Sequence, residues 1–222
     1  MSNEPAMVIV GAGEAGTAAA IALREGGWRG SIILIGNENM LPYERPPLSK
    51  ATLIEETHSG PKLLVTHERL AELGIRYLEG KIVESIDRVA HTLRLSDGAQ
   101  LAYERLLLTT GARPRKLNNP VAAGSRMVTL RTYADALALR KIIGRGCQVV
   151  VIGGGFIGLE IAASAVSRGA SVTVLEAGPR LLMRAVPAAM AELIRAKHDR
   201  SGVRIETGAM VERIDSNERC SS

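Results

Sequence analysis

Short apolar runs closed by glycine punctuate this chain. Residues 7–10 are four apolar positions ending at Gly11, and the Ala-rich stretch 15–23 that follows has high helix propensity. Residues 31–35 form a second apolar, isoleucine-rich run ending at Gly36, the pattern of the next strand in a parallel pair. Residues 7–35 are therefore expected to form a βαβ unit. Prolines at 42, 46, 47 and 61 exclude long regular elements between 37 and 62, which leaves a loop with one short helix. Residues 70–73 read as a helix end with Gly74 behind it, and 81–86 as a strand. Residues 91–103 alternate around Ser96, Asp97 and Gly98 with Leu93, Leu95 and Leu101 on one face, a hairpin in an inserted antiparallel meander. A buried strand at 106–108 ends at Thr109, Thr110 and Gly111, before a Pro- and Asn-containing stretch at 113–120.

The opening pattern then recurs. Residues 148–152 are a strand, 153–158 a glycine turn, 159–166 a helix and 171–175 a strand. The two turns begin at positions 11 and 153, too far apart for a solenoid repeat and suited to two dinucleotide-binding domains in tandem. Residues 187–198 read as a helix with proline in its first turn, and 203–206 as a further strand. The expected fold class is α/β, with two Rossmann-like domains covering 1–116 and 117–222.

Composition narrows the function. The 222 residues are 46% hydrophobic and 23% charged, an ordinary globular balance, but only 3% aromatic with 23 glycines, so ligands are expected on backbone contacts rather than stacked rings. The net charge of +5 suits an acidic partner, while the lack of a basic stripe with interleaved aromatics argues against nucleic acid. Cys147 and Cys220 form neither a disulfide framework nor a metal cluster, and read as reduced thiols. Residues 1–5 carry no signal-peptide pattern and no run of ~20 apolar residues occurs, so a cytoplasmic protein without a membrane span is expected.

Each turn carries phosphate-binding chemistry. In Gly11-Ala12-Gly13-Glu14-Ala15-Gly16, Gly11 makes the tight turn, Gly13 lets backbone approach a pyrophosphate at the helix N-terminus, and Gly16 permits close helix–strand packing. Glu38 and Asn37, beyond the second strand, are candidates for a ribose hydroxyl. In Gly153-Gly154-Gly155-Phe156-Ile157-Gly158 the pattern repeats, and Glu176 ends the following strand. A carboxylate there favours a free 2′-hydroxyl over a 2′-phosphate, hence NAD(H) over NADP(H), with Arg180 and Arg184 near enough to temper the preference. Glu160 is either a carboxylate favoured by the helix dipole or a functional group.

With both turns placed, Leu41-Pro42-Tyr43-Glu44-Arg45-Pro46-Pro47-Leu48-Ser49-Lys50 resembles the segment after the first βαβ unit of FAD-dependent NADH:ferredoxin reductases of bacterial oxygenase systems. The segments from Leu106 to Pro114 and Leu130-Arg131-Thr132 resemble the flavin domain of the same family. The resemblance implies a glutathione-reductase type of fold, FAD and NAD(H) as cofactors, and a [2Fe–2S] ferredoxin as acceptor. It also implies that Ala15, Lys50, Val83 and Arg131 contact FAD, with Arg45 and Thr110 beside them, and gives Lys50 the role of stabilising an anionic reduced ring. Asn37 departs from the aspartate of a relative and forgoes a charge-assisted bond, which Glu38 can supply. Residues 39–60 contain no cysteine, unlike disulfide, peroxide or coenzyme-A reductases of the wider fold, so electrons are expected to leave to an external acceptor.

Members of that family are nearly twice this length, and the Gly-Asp dipeptide that binds their flavin ribityl chain does not occur here. The chain therefore reads as truncated, with an incomplete second domain and no C-terminal domain. Two other functions stay open at this point: a nucleotide-binding chain without catalysis, and a flavoprotein that oxidises NADH with oxygen.

Overall fold

β1 (Ala6–Val10) and β2 (Ser31–Ile35) are apolar at nearly every position because both faces of their sheet are covered. The computed structural model describes residues 6–55, 57, 60–117 and 120–215, so Cys220 lies outside the described residues. The chain divides into two compact units, one of residues Met1–Glu44 and Pro61–Ala112, the other of Arg45–Gly60 and Arg113–Ser222.

In the first unit, β1 and β2 are joined in a parallel sheet by β3 (Ile75–Leu78) and β7 (Arg105–Leu108), in the order β3-β2-β1-β7. α1 (Glu14–Glu25) connects β1 to β2, and the short α3 (His67–Glu72), capped by the Thr66 hydroxyl, precedes β3. On one face Ile9, Ile32 and Leu34 pack with Ala20 and Leu70. The opposite face, Val8, Ile33 and Ile35, packs against Leu93 and Leu95. Those leucines belong to the expected meander: β4 (Val83–Asp87), β5 (Thr92–Leu95) and β6 (Gln100–Ala102), antiparallel throughout. Its turn is fixed by the Asp97 carboxylate, which accepts from the Ala99 N–H, and by Gly98 at φ +84°.

In the second unit, β8 (Gln148–Ile152), β9 (Ser171–Glu176) and β10 (Val203–Thr207) form a parallel sheet in the order β10-β9-β8. α5 (Phe156–Ser167) links β8 to β9, and α6 (Ala188–Arg200), with Pro187 as its N-cap rather than inside its first turn, leads to β10. A further helix, α4 (Tyr133–Ile142), is absent from the sequence expectations. Its signal is the capping box Thr132-Tyr133-Ala134-Asp135, in which the Thr132 hydroxyl accepts from the Asp135 N–H and the Asp135 carboxylate from the Thr132 N–H. Burial opposes the charge of Asp135, but the bonds from Thr132 and Arg131 outweigh it and lower its pKa.

Residues Arg45–Gly60 differ from the sequence-order division into 1–116 and 117–222, because they pack within the second unit. The segment contains a 3₁₀ turn, Pro46–Ser49, and the one-turn helix α2 (Ala51–Ile54). A helix this short leaves its carbonyls unpaired, and two arginines supply the donors. Arg168 donates to the Leu53, Ile143 and Arg140 carbonyls, each at 2.9 Å. Arg140 donates to the Thr52 carbonyl at 2.9 Å and to that of Glu55.

Tyr77 of β3 donates its hydroxyl to the Met40 carbonyl at 2.8 Å. Burial, followed by the charges of Glu79 and Glu38, pushes its pKa up to about 12. Unfolded tyrosine ionises near ~10, so between the two values the unfolded chain loses a proton that the folded chain keeps, and stability falls as pH rises. Urea unfolding midpoints of Tyr77→Phe should accordingly fall less than those of the wild type across this window. Parallel profiles would contradict this account.

Candidate functional site

The glycine turn of the first unit is set by backbone contact. Gly11 has φ +110°, and a Cβ there would lie 2.1 Å from the Thr109 carbonyl oxygen. A Cβ at Gly16 would lie 1.9 Å from the Gly11 carbonyl oxygen, so α1 can rest on the turn only without a side chain at that position. The Thr109 hydroxyl lies 2.8 Å from the same Gly11 carbonyl and so ties the end of β7 to the turn.

Gly13 is different. It is the N-cap of α1 with an ordinary φ of −83°, and nothing lies within 4 Å of a Cβ built on it. Neither backbone conformation nor packing requires glycine there. The space in front of it is bounded by the first-turn N–H groups of a 12-residue helix that has no side-chain cap, the arrangement that receives a phosphate. The second unit repeats this. Gly153 has φ +109°, a Cβ at Gly158 would lie 2.1 Å from the Gly153 carbonyl oxygen, and Gly155, N-cap of α5 at φ −82°, faces open space. Both turns therefore fit a dinucleotide pyrophosphate.

The two units diverge where each turn meets the end of the second strand. Gly11 N–H bonds the Ile35 carbonyl and Gly153 N–H that of Leu175, which makes Gly36 the counterpart of Glu176. The Glu176 carboxylate accepts from the N–H groups of Gly154 and Gly178, both at 2.7 Å, and is fixed against the turn. The Gly154 carbonyl accepts from the N–H of Leu182, a buried residue at φ +52° whose strained backbone completes the clamp. At Gly36 a Cβ would lie 2.4 Å from the Tyr77 hydroxyl oxygen, so that slot holds a tyrosine ring and no carboxylate. Asn37 is exposed one residue further on, and Glu38, two residues on, accepts from the Tyr43 hydroxyl at 2.5 Å.

The remaining candidates group as follows. Ala15 lies in the first turn of α1, half-buried Val83 begins β4, and exposed Thr110 follows β7. In the second unit Arg45 donates to the Arg131 carbonyl at 2.6 Å. Lys50 and Glu160, far apart in sequence, form an ion pair at 3.0 Å. Glu160 thus bonds a specific cation and is not a first-turn carboxylate of α5. Arg184 is exposed, whereas Arg180 turns onto the Leu181 and Met183 carbonyls. Ser49, which sequence reasoning passed over, donates to Glu160. Among the described residues Cys147 is the one cysteine, no carboxylate, histidine and thiol cluster could hold a metal, and no helix is long and apolar enough to cross a membrane.

Residues 5–221 match the family described as pyridine nucleotide-disulphide oxidoreductase. A probable ferredoxin reductase of Castellaniella defragrans is 37% identical over 98% of this chain and 53% of its own length. The ferredoxin–NAD(+) reductase component of a p-cumate 2,3-dioxygenase system of Pseudomonas putida is 41% identical over 94% and 52%. Among solved structures, the ferredoxin reductase for the CYP199A2 system of Rhodopseudomonas palustris superposes with a TM-score of 0.91 at 36% identity, covering 96% of this chain and 52% of that one. The putidaredoxin reductase–putidaredoxin covalent complex gives 0.87 at 36% identity, covering 98% and 53%. The chain spans about half the length of the curated relatives it matches.

The contrast between the glycines is testable. Gly16→Ala should cost about 1–3 kcal/mol in urea unfolding, because a backbone carbonyl must move. Gly13→Ala should cost under about 1 kcal/mol yet lower dinucleotide affinity roughly tenfold in equilibrium titration. Equal stability losses in the two variants would refute the division between packing and ligand-facing glycines.

Proposed function

The chain belongs to the pyridine nucleotide-disulphide oxidoreductase family, and from that premise we propose that it carries the nucleotide-binding part of a flavoprotein that passes electrons from NADH through FAD to a [2Fe–2S] ferredoxin serving an oxygenase. The observation that carries this is the pair of N-cap glycines, Gly13 and Gly155, that no internal contact explains and that a pyrophosphate does. We assign FAD to the first turn and NAD(H) to the second. FAD, when bound, would supply the redox chemistry, a capacity to accept two electrons from NADH and release them singly to an iron–sulfur partner.

The chain's own residues bind and orient. Gly11, Gly13 and Gly16 shape the FAD pyrophosphate site, with Ala15 in the adjoining helical turn and Asn37 and Glu38 at the ribose. Val83, Thr110, Arg45 and Arg131 are assigned to the flavin moiety. Lys50 would supply a cation for the flavin, whose ring system gains negative charge on reduction. Gly153, Gly155 and Gly158 take the NAD(H) pyrophosphate, and Arg184 and Glu160 contact the same coenzyme. Glu176, its carboxylate held by two backbone N–H groups, accepts from a free ribose 2′-hydroxyl and repels a 2′-phosphate, which supports NADH over NADPH. Residues 39–60 offer no thiol to reduce, which supports an external acceptor. The proposed coenzyme chemistry suits a cytoplasmic protein.

The test is the visible spectrum of the purified chain, supplied with FAD and titrated anaerobically with NADH. Bound flavin that bleaches with NADH, and recovers on addition of an oxidised [2Fe–2S] ferredoxin, is expected. Lys50→Ala should slow bleaching about tenfold or more if its charge acts at the flavin. A chain that takes up neither FAD nor NADH would overturn the proposal.

A further inference from the structure

We propose that Ser49 is a positioning residue for Lys50 and acts through Glu160. Its functional meaning rests on the flavin reading of Lys50, whereas its geometry does not. Ser49 closes the 3₁₀ turn Pro46–Ser49 and is 4% exposed. Its hydroxyl donates to Glu160 Oε2 at 2.5 Å. The other carboxylate oxygen, Oε1, lies 3.0 Å from Lys50 Nζ. One turn along α5 from Glu160, the buried Ser164 hydroxyl donates to the Ser49 carbonyl at 2.7 Å. Glu160 and Ser164 stand four residues apart on the same helix face, so α5 grips Ser49 at both its side chain and its backbone.

This arrangement decides which way the carboxylate faces. The terminal torsion of glutamate is broad, and an ion pair to a long, half-exposed lysine restrains it weakly. A bond from a buried hydroxyl fixes the carboxylate plane because the hydroxyl has no water to turn to. With Oε2 committed to Ser49, Oε1 is the oxygen presented to Lys50. An ammonium has three donors, and the pair uses one, which leaves donors to aim at an anionic ligand. Lys50 is the N-cap of α2, whose carbonyls Arg140 and Arg168 hold, so its Cα is placed by the fold and its Nζ by Ser49 through Glu160.

The test reads Lys50 directly, without flavin. The 222-residue chain is acetylated with a limiting N-hydroxysuccinimide ester, and each lysine is quantified by mass spectrometry against Lys141 and Lys197. An ammonium held to a carboxylate is masked, so Ser49→Ala should raise Lys50 labelling roughly threefold or more, to the level of Glu160→Gln, and the double variant should add nothing further. Ser49→Thr, which keeps the hydroxyl, should stay near wild type. Ser164→Ala, which removes only the bond to the Ser49 carbonyl, should raise labelling to a smaller extent. It decides the matter alone if Ser49→Ala does not fold. Unchanged Lys50 labelling in a folded Ser49→Ala, or in Ser164→Ala where that variant decides, overturns the proposal, as do additive increments in the double variant. FAD titration of the same proteins separates the two readings: labelling that responds as expected in chains that take up no FAD keeps the positioning role and removes the flavin reading.

Discussion

The Gly11 carbonyl oxygen occupies the place that a Cβ of residue 16 would need, 1.9 Å from it, and the same contact recurs 2.1 Å from Gly153 at residue 158. This backbone approach lets each helix begin directly behind its strand, with the N-cap glycine in front. From it follow the direction of the helix axis, the exposure of the first-turn N–H groups and the parallel crossover to the next strand. A side chain at either position would push the helix off the turn and turn its N-terminus away from any phosphate. Local packing and ligand geometry are thus set by one constraint, met twice.

Around this repeated core the units are finished differently. In the second, Glu176 and the strained Leu182 hold the turn from both sides, one accepting from Gly154 and the other donating to it. In the first, the equivalent of Glu176 is Gly36, the Tyr77 hydroxyl fills its space, and Thr109 ties the turn down instead. The difference is chemical as well as structural. One turn carries a fixed carboxylate at its edge, while the other has none there, and the next polar side chains along the chain are Asn37 and Glu38.

The segment Arg45–Gly60 is too short in regular structure to hold itself. Its prolines restrict the backbone, but its carbonyls need donors, and Arg140 and Arg168 provide them. Several bonds to backbone, each modest, restrain a one-turn helix that would be marginal alone. Lys50 gains a defined position from this, and Ser49 and Glu160 refine it.

Much of this was legible in the sequence because it depends on local chemistry. Apolar runs bounded by glycine point to β1, β2, β8 and β9 but not to β3 (Ile75–Leu78), the spacing of Gly11, Gly13 and Gly16 and of Gly153, Gly155 and Gly158 points to the turns, and Ser96-Asp97-Gly98 to the hairpin. The capping box opening α4 was equally local and was passed over. Other features had no local signal. Which unit would hold residues 45–60, that Lys50 would meet Glu160 and Ser49 would bond it, and that Tyr77 would stand over Gly36, all depend on residues far apart along the chain. Periodicity and spacing describe what neighbouring residues do to one another. The partner of a buried hydroxyl or a half-buried charge is chosen by packing, so the sequence by itself determined the two nucleotide-shaped turns, and only the tertiary structure decided what stands beside them.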